Sequence, residues 1–214
     1  VFEQLEQIPL FCAPIYILDK PEFLNVTRKI SKKFIAKRKQ EVELNPIYPV
    51  YMTESINSDP EMLDFANYVA QTAWNILNIQ GYSMEFFQTY FTEMWCQEHY
   101  NGSSIDRHIH GNGSIISGFY FLNCPDDAVA VFHDPRDSKV ITNLPELNPT
   151  QITNASNMVN FQAKNGRLIF SNSWLPHSFN KVTGSIPLTF IHFNIAVAHV
   201  QQQFCPAQPQ VEVI

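Results

Sequence analysis

From Glu85 onward the chain falls into short apolar runs rich in β-branched and aromatic residues, each closed by turn formers, and few architectures accept that punctuation. The candidate strands run from Phe86 to Cys96, Ile115 to Asn123, Ala128 to Phe132, Arg167 to Ser171 and Leu188 to Val197. Between them stand Asn101-Gly102-Ser103-Ser104, Gly111-Asn112-Gly113, Cys124-Pro125-Asp126-Asp127 and Asn165-Gly166, each a credible turn. This is the pattern of a sandwich or barrel. The stretch from Lys139 to Gln162 is polar, carries Pro145 and Pro149, and reads as a long loop with one weak strand, a candidate cover for a site.

The front of the chain has a different period. Pro21 to Arg38 starts with proline in a helix-start position and spaces Phe23, Leu24, Ile30, Phe34 and Ile35 as a helix does. A second helix is capped by Ser58 or Asp59, has Pro60 in its first turn, carries Met62, Phe65, Ala66, Val69, Ala73, Ile76 and Leu77 as one stripe, and ends at Gly81. With 214 residues and no interdomain linker, one domain is expected: a helical part over 1–84, a β core over 85–200 and a tail over 201–214.

Composition narrows the function classes. A net charge of -6 argues against a nucleic-acid-binding surface. Seven of the 14 basic residues (Arg28, Lys29, Lys32, Lys33, Lys37, Arg38 and Lys39) sit in one segment, which reads as the solvated face of the first helix. Cys12, Cys96, Cys124 and Cys205 are far apart and show no Cys-x-x-Cys spacing, so they read as reduced thiols. No apolar run is long enough for a membrane span, and the cytoplasm is the expected compartment.

His108-Ile109-His110 is the feature that carries chemistry. On a strand, side chains two apart share a face, so both imidazoles can reach one point, and His177 at the end of another apolar run can close the triangle. Neutral imidazole suits Zn, Fe, Cu or Ni, so the spacing predicts a metal site without choosing the metal. The competing reading is three structural histidines bonded to backbone.

The ordered blocks add a resemblance. His108-Ile109-His110, then Ser117-Gly118-Phe119-Tyr120-Phe121, Asp134-Pro135-Arg136, Gly166-Arg167-Leu168-Ile169-Phe170, Pro176-His177 and Phe193-Asn194 resemble the 2-oxoglutarate/Fe(II) oxygenase family. The likeness spans Trp95 to Val197 and is strongest to a prolyl-hydroxylase-like branch of tailed phages and marine bacteria. It implies a double-stranded β-helix (a jelly roll, cupin-like), mainly β, with the N-terminal helices packed outside one sheet. It further implies a hydroxylase using Fe(II), 2-oxoglutarate and O2 on a small-molecule or peptide substrate, in a host's cytoplasm if the chain is phage-encoded. His108 and His177 match two iron ligands, and His110 stands where most of the superfamily has a carboxylate. Asp106, two residues before His108, shares the ligand face on a regular strand and is the alternate carboxylate ligand; Asp134 is another candidate, though its proline neighbour suggests a structural turn, and both rank well below His110.

Two departures bear on the cofactor. A third neutral ligand leaves the metal one unit more positive, which favours bound anions. Relatives place an arginine just before the final strand, where a guanidinium fork can hold the far carboxylate of 2-oxoglutarate, whereas this chain reads Pro187-Leu188-Thr189. Arg136 is the preferred substitute, with Arg167 and Lys181 behind it, and Tyr120, Thr189 and Asn194 are further cofactor-pocket candidates. Two other classes stay open. One is a three-histidine enzyme without 2-oxoglutarate, either a cupin-type dioxygenase or a Zn hydrolase. The other is a non-catalytic jelly-roll binding module. The sequence does not set the oligomeric state.

Overall fold

The computed structural model describes residues 6–142 and 144–200; Cys205 and the 201–214 tail lie outside the described residues. Ten strands and two long helices follow in the order β1 (Ile15–Asp19), α1 (Leu24–Glu41), β2 (Val50–Met52), α2 (Leu63–Ile79), β3 (Phe87–His99), β4 (Ile105–His108), β5 (Ile116–Asn123), β6 (Val129–His133), β7 (Met158–Gln162), β8 (Arg167–Asn172), β9 (His177–Phe179) and β10 (Leu188–His199). All pairings are antiparallel. They build a six-stranded sheet, β1-β8-β5-β10-β3-β2, facing a four-stranded sheet, β4-β9-β6-β7. This is the double-stranded β-helix with helices outside the larger sheet.

Two layers of core follow from strand alternation. On β5, Phe119 and Phe121 face the smaller sheet and pack with Phe132, Phe179, Leu188 and Phe190. The intervening Tyr120 and Leu122 face the other way and pack with Phe65, Val69 and Ile30 of the helices. With both faces covered, β5 is a nearly continuous apolar run. The helices present the stripes their spacing requires: Thr27, Ile30, Ser31 and Ile35 on α1, and Phe65, Ala66, Val69, Ala73, Ile76 and Leu77 on α2. The Asp59 carboxylate accepts the Glu61 N–H at 3.1 Å, and Gly81, at φ +94°, takes the left-handed turn after α2.

The N-terminal part is not purely helical. β1 pairs with β8 and β2 with β3, so both edges of the larger sheet come from residues before Glu85. Short strands of five and three residues leave too little alternation to be read from sequence. The basic face of α1 is largely neutralised within the molecule. Lys29 pairs with Glu61, Lys33 with Asp59, Lys37 with Glu54 and Lys39 with Glu98, while Arg28 donates twice to the Leu122 carbonyl. Among the described residues, no helix is long and apolar enough to cross a membrane.

Gly118 marks the tightest approach between β5 and its neighbours. A Cβ there would stand 2.4 Å from the Ile169 carbonyl oxygen and 2.5 Å from the Phe193 ring. The carbonyl belongs to a sheet strand and cannot step aside. Gly118→Ala is therefore expected to cost about 3 kcal/mol, read as a lowered urea midpoint with an unchanged slope.

Candidate metal centre

His108 closes β4 and sits opposite His177, the first residue of β9. His110 lies past the strand end, so the pair does not converge by strand alternation alone. A bulge in the β4–β9 register and a bond from the His110 N–H to the Ser173 carbonyl, 2.9 Å, bend the segment back over the smaller sheet. The three histidines then offer ring nitrogens that all lie within 4.8 Å of one another. His110 Nε2 and His177 Nε2 are 3.1 Å apart. Two ligands about 2.1 Å from one ion and at right angles to each other would stand at roughly that separation.

Each ring is held from behind. His177 Nδ1 donates to the Leu175 carbonyl at 3.0 Å, and His108 Nδ1 to the Asp106 carbonyl at 2.7 Å, which leaves each Nε2 for the centre. His110 Nδ1 stands 3.2 Å from the Asn194 carboxamide, itself bonded to Ser117 and Glu93. Burial pushes the His110 ring down to about 4 and the His177 ring down to about 3, with neighbouring imidazoles adding to the effect. Both rings are neutral at pH 7, the form that can ligate a cation. The donor set thus fits Fe(II): three imidazole nitrogens on one side of a point, with room on the other.

That room is a cavity of about 330 Å³ walled by His108, His110, Phe119, His192, Trp95 and Gln97. The wall is a regular product of the larger sheet. Trp95, His192 and Phe119 form one inward-facing row across β3, β10 and β5, and Gln97, Phe190 and Phe121 form the next. His192 stacks on His110 at 4.6 Å, and burial drives its imidazole well below the usual range. Size and position suit a small acid bound beside the metal. Among the described residues, no lysine or arginine lines the cavity.

Several residues read as cofactor contacts stand elsewhere. Arg136 makes a two-pronged ion pair with Asp134, at 2.9 and 2.7 Å, and borders a separate groove. Arg167 is bound to Asp19 on the outer edge of the larger sheet, and Lys181 is not part of the cavity wall. Tyr120 faces the helices, where its hydroxyl donates to the Lys20 carbonyl. Thr189 alternates with the inward-facing Leu188 and Phe190, so it too points away from the cavity. Asn194 supports His110 rather than lining the cavity. Asp106 borders the cavity but lies outside the ligand cluster, contributing its carbonyl to His108. Lys139 ties the 139–162 loop to Asp134 and to the Ser156 carbonyl, and none of its described residues reaches the cavity. Trp95 and Gln97 were missed from sequence, although their spacing of two on a strand running antiparallel to His192 was a usable signal.

The chain is a jelly roll, a double-stranded β-helix, with a three-imidazole cluster able to hold a metal ion at the mouth of its smaller sheet. Residues 93–194, just under half the chain and containing all three histidines, match the family model described as "Putative 2OG-Fe(II) oxygenase". No curated protein matches the sequence significantly. Solved structures with the same fold include a prolyl-4-hydroxylase of Pseudomonas putida, 12% identical over 85% of this chain and 92% of that one, TM-score 0.53. A Trichoplax adhaerens prolyl hydroxylase in complex with a hypoxia inducible factor peptide fragment is 12% identical over 84% and 82%, TM-score 0.54. HygX of Streptomyces hygroscopicus, with nickel, 2-oxoglutarate and hygromycin B bound, is 9% identical over 86% and 83%, TM-score 0.54.

Proposed function

We propose that this chain is an Fe(II)- and 2-oxoglutarate-dependent hydroxylase whose metal is held by His108, His110 and His177, and whose substrate is a small molecule or a peptide. The convergence of three neutral ring nitrogens beside a cavity carries this reading. Bound Fe(II) with 2-oxoglutarate and O2 supplies oxidative chemistry: one oxygen atom enters a substrate C–H bond as the other converts 2-oxoglutarate to succinate and CO2. The protein's own part is positional. The backbone carbonyls of Asp106 and Leu175 fix two imidazole tautomers, Asn194 steadies the third ring, and Phe119 and Phe179 keep the cavity wall dry. Peptide and small-molecule ligands seated in structural neighbours support both substrate classes. The reading extends to a single domain in a reducing cytoplasm, supported by Cys12, Cys96 and Cys124 being free thiols.

Anaerobic titration tests it. The protein is expected to take up one Fe(II) and, on adding 2-oxoglutarate, to develop the visible metal-to-ligand charge-transfer band of a chelated 2-oxo acid. Tight iron binding with no such band would favour the three-histidine enzyme that does without 2-oxoglutarate.

A further inference from the structure

The cavity beside the histidines poses an unanswered question of charge. A 2-oxo diacid chelated to the metal through its keto acid end leaves a second carboxylate inside the cavity, and a buried carboxylate needs hydrogen-bond donors. The strand position that could bring a cation there is filled by Leu188, buried between the sheets opposite His99. His99 is already committed: its ring bonds Gln97 at 2.9 Å and Ser103 at 3.2 Å and stacks on Phe190.

Other donors remain. Among the described residues only four buried side-chain polar atoms lack a hydrogen-bond partner, and two of them, Trp95 Nε1 and His192 Nε2, belong to walls of this cavity. The other two are serine hydroxyls, Ser31 and Ser171, buried elsewhere and outside the cavity wall. Trp95 and His192 are register partners across β3 and β10, and their rings lie 4.5 Å apart. His192 is 2% exposed, so water does not satisfy it from outside. A buried polar atom left unpaired costs about 1–3 kcal/mol, and two side by side at a ligand cavity call for a ligand.

We propose that the Trp95 indole and the His192 imidazole are the co-substrate anchor: together they hold the far carboxylate of the 2-oxo diacid by neutral hydrogen bonds, in place of a cationic clamp. This rests on the 2-oxoglutarate reading above. Trp95→Phe keeps the ring and removes the N–H; His192→Gln is the second variant, with circular dichroism and Fe(II) affinity reporting whether each protein is intact. Anaerobic charge-transfer titrations would be run with 2-oxoglutarate and with 2-oxovalerate, which lacks the far carboxylate. Trp95→Phe is expected to weaken 2-oxoglutarate about ten-fold, with Fe(II) affinity and 2-oxovalerate affinity unchanged. Equal 2-oxoglutarate affinity in wild type and both variants, or an equal loss for the two acids, would overturn the anchor while leaving the oxygenase reading in place. A wild-type protein that binds iron but gives no band with either acid would overturn both.

Discussion

A His177→Gln protein is expected to keep its fold and lose at least about 100-fold in Fe(II) affinity. His177 is fully buried, and its side chain reaches the centre from the strand opposite His108, so no neighbouring residue can substitute. Losing a group that merely orients a metal ligand typically costs about 10–100-fold, and losing a ligand outright costs more. Glutamine preserves much of the volume between Phe119 and Phe132, which confines the damage to coordination. Asp106→Asn is the matched control: its carboxylate is outside the cluster and its carbonyl survives the change, so iron affinity should stay within about two-fold of wild type. Metal content after dialysis and calorimetric Fe(II) titration read both. A glutamine variant that binds iron as tightly as wild type would remove His177 from the centre.

The second large effect is acid sensitivity, to which His99 contributes alongside His110, His177 and His192 in the metal-free protein. Burial holds its ring down to about 4, and both ring nitrogens are bonded in the neutral form. In the unfolded chain the same ring takes a proton near pH 6.5. Between those values the unfolded state binds more protons, so stability falls as pH drops from about 6.5 toward 4, at up to about 1.4 kcal/mol per pH unit from this residue alone. The total approaches about 3 kcal/mol, a large share of a typical domain's margin. Asp134, held far below the usual carboxylate range first by its bond to Arg136, adds a separate loss only below about pH 4. Urea unfolding of the metal-free protein at pH 7.5, 6 and 5 measures the slope. His99→Gln should flatten it by about 1.4 kcal/mol per unit, and an unchanged slope would show that the ring titrates normally in the folded state.

Much of the architecture was readable before any coordinates. β5, β8 and β10 announced themselves because they are long apolar runs closed by Gly, Asn and Pro, and α2 because its stripe, cap and terminating glycine agree. The His-x-His pair was legible for the same local reason. Phase is not legible. A strand buried on both faces shows no polar side, so nothing in Ser117 to Leu122 says whether Phe119 or Tyr120 looks inward, and the structure turns Tyr120 and Thr189, both cofactor-pocket candidates by sequence, away from the cavity. Arg136 failed for another reason: its partner, Asp134, lies two residues away, and a bidentate pair that local competes with any distant carboxylate. Trp95 and Gln97 became visible only through register, since their importance comes from standing opposite His192 and Phe190.

β10 is a party wall. One side of the strand, at His192 and Asn194, touches the imidazole cluster; the other, at Ile191 and Phe193, is embedded in the helical layer. The two sides share a backbone, so a residue swapped deep under the helices moves the metal's surroundings even though no helix residue lines the cavity. Tuning of the chemistry is thereby open to substitutions far from the iron, and repacking under α2 should show up as an altered spectrum of the bound metal before it shows up as lost fold.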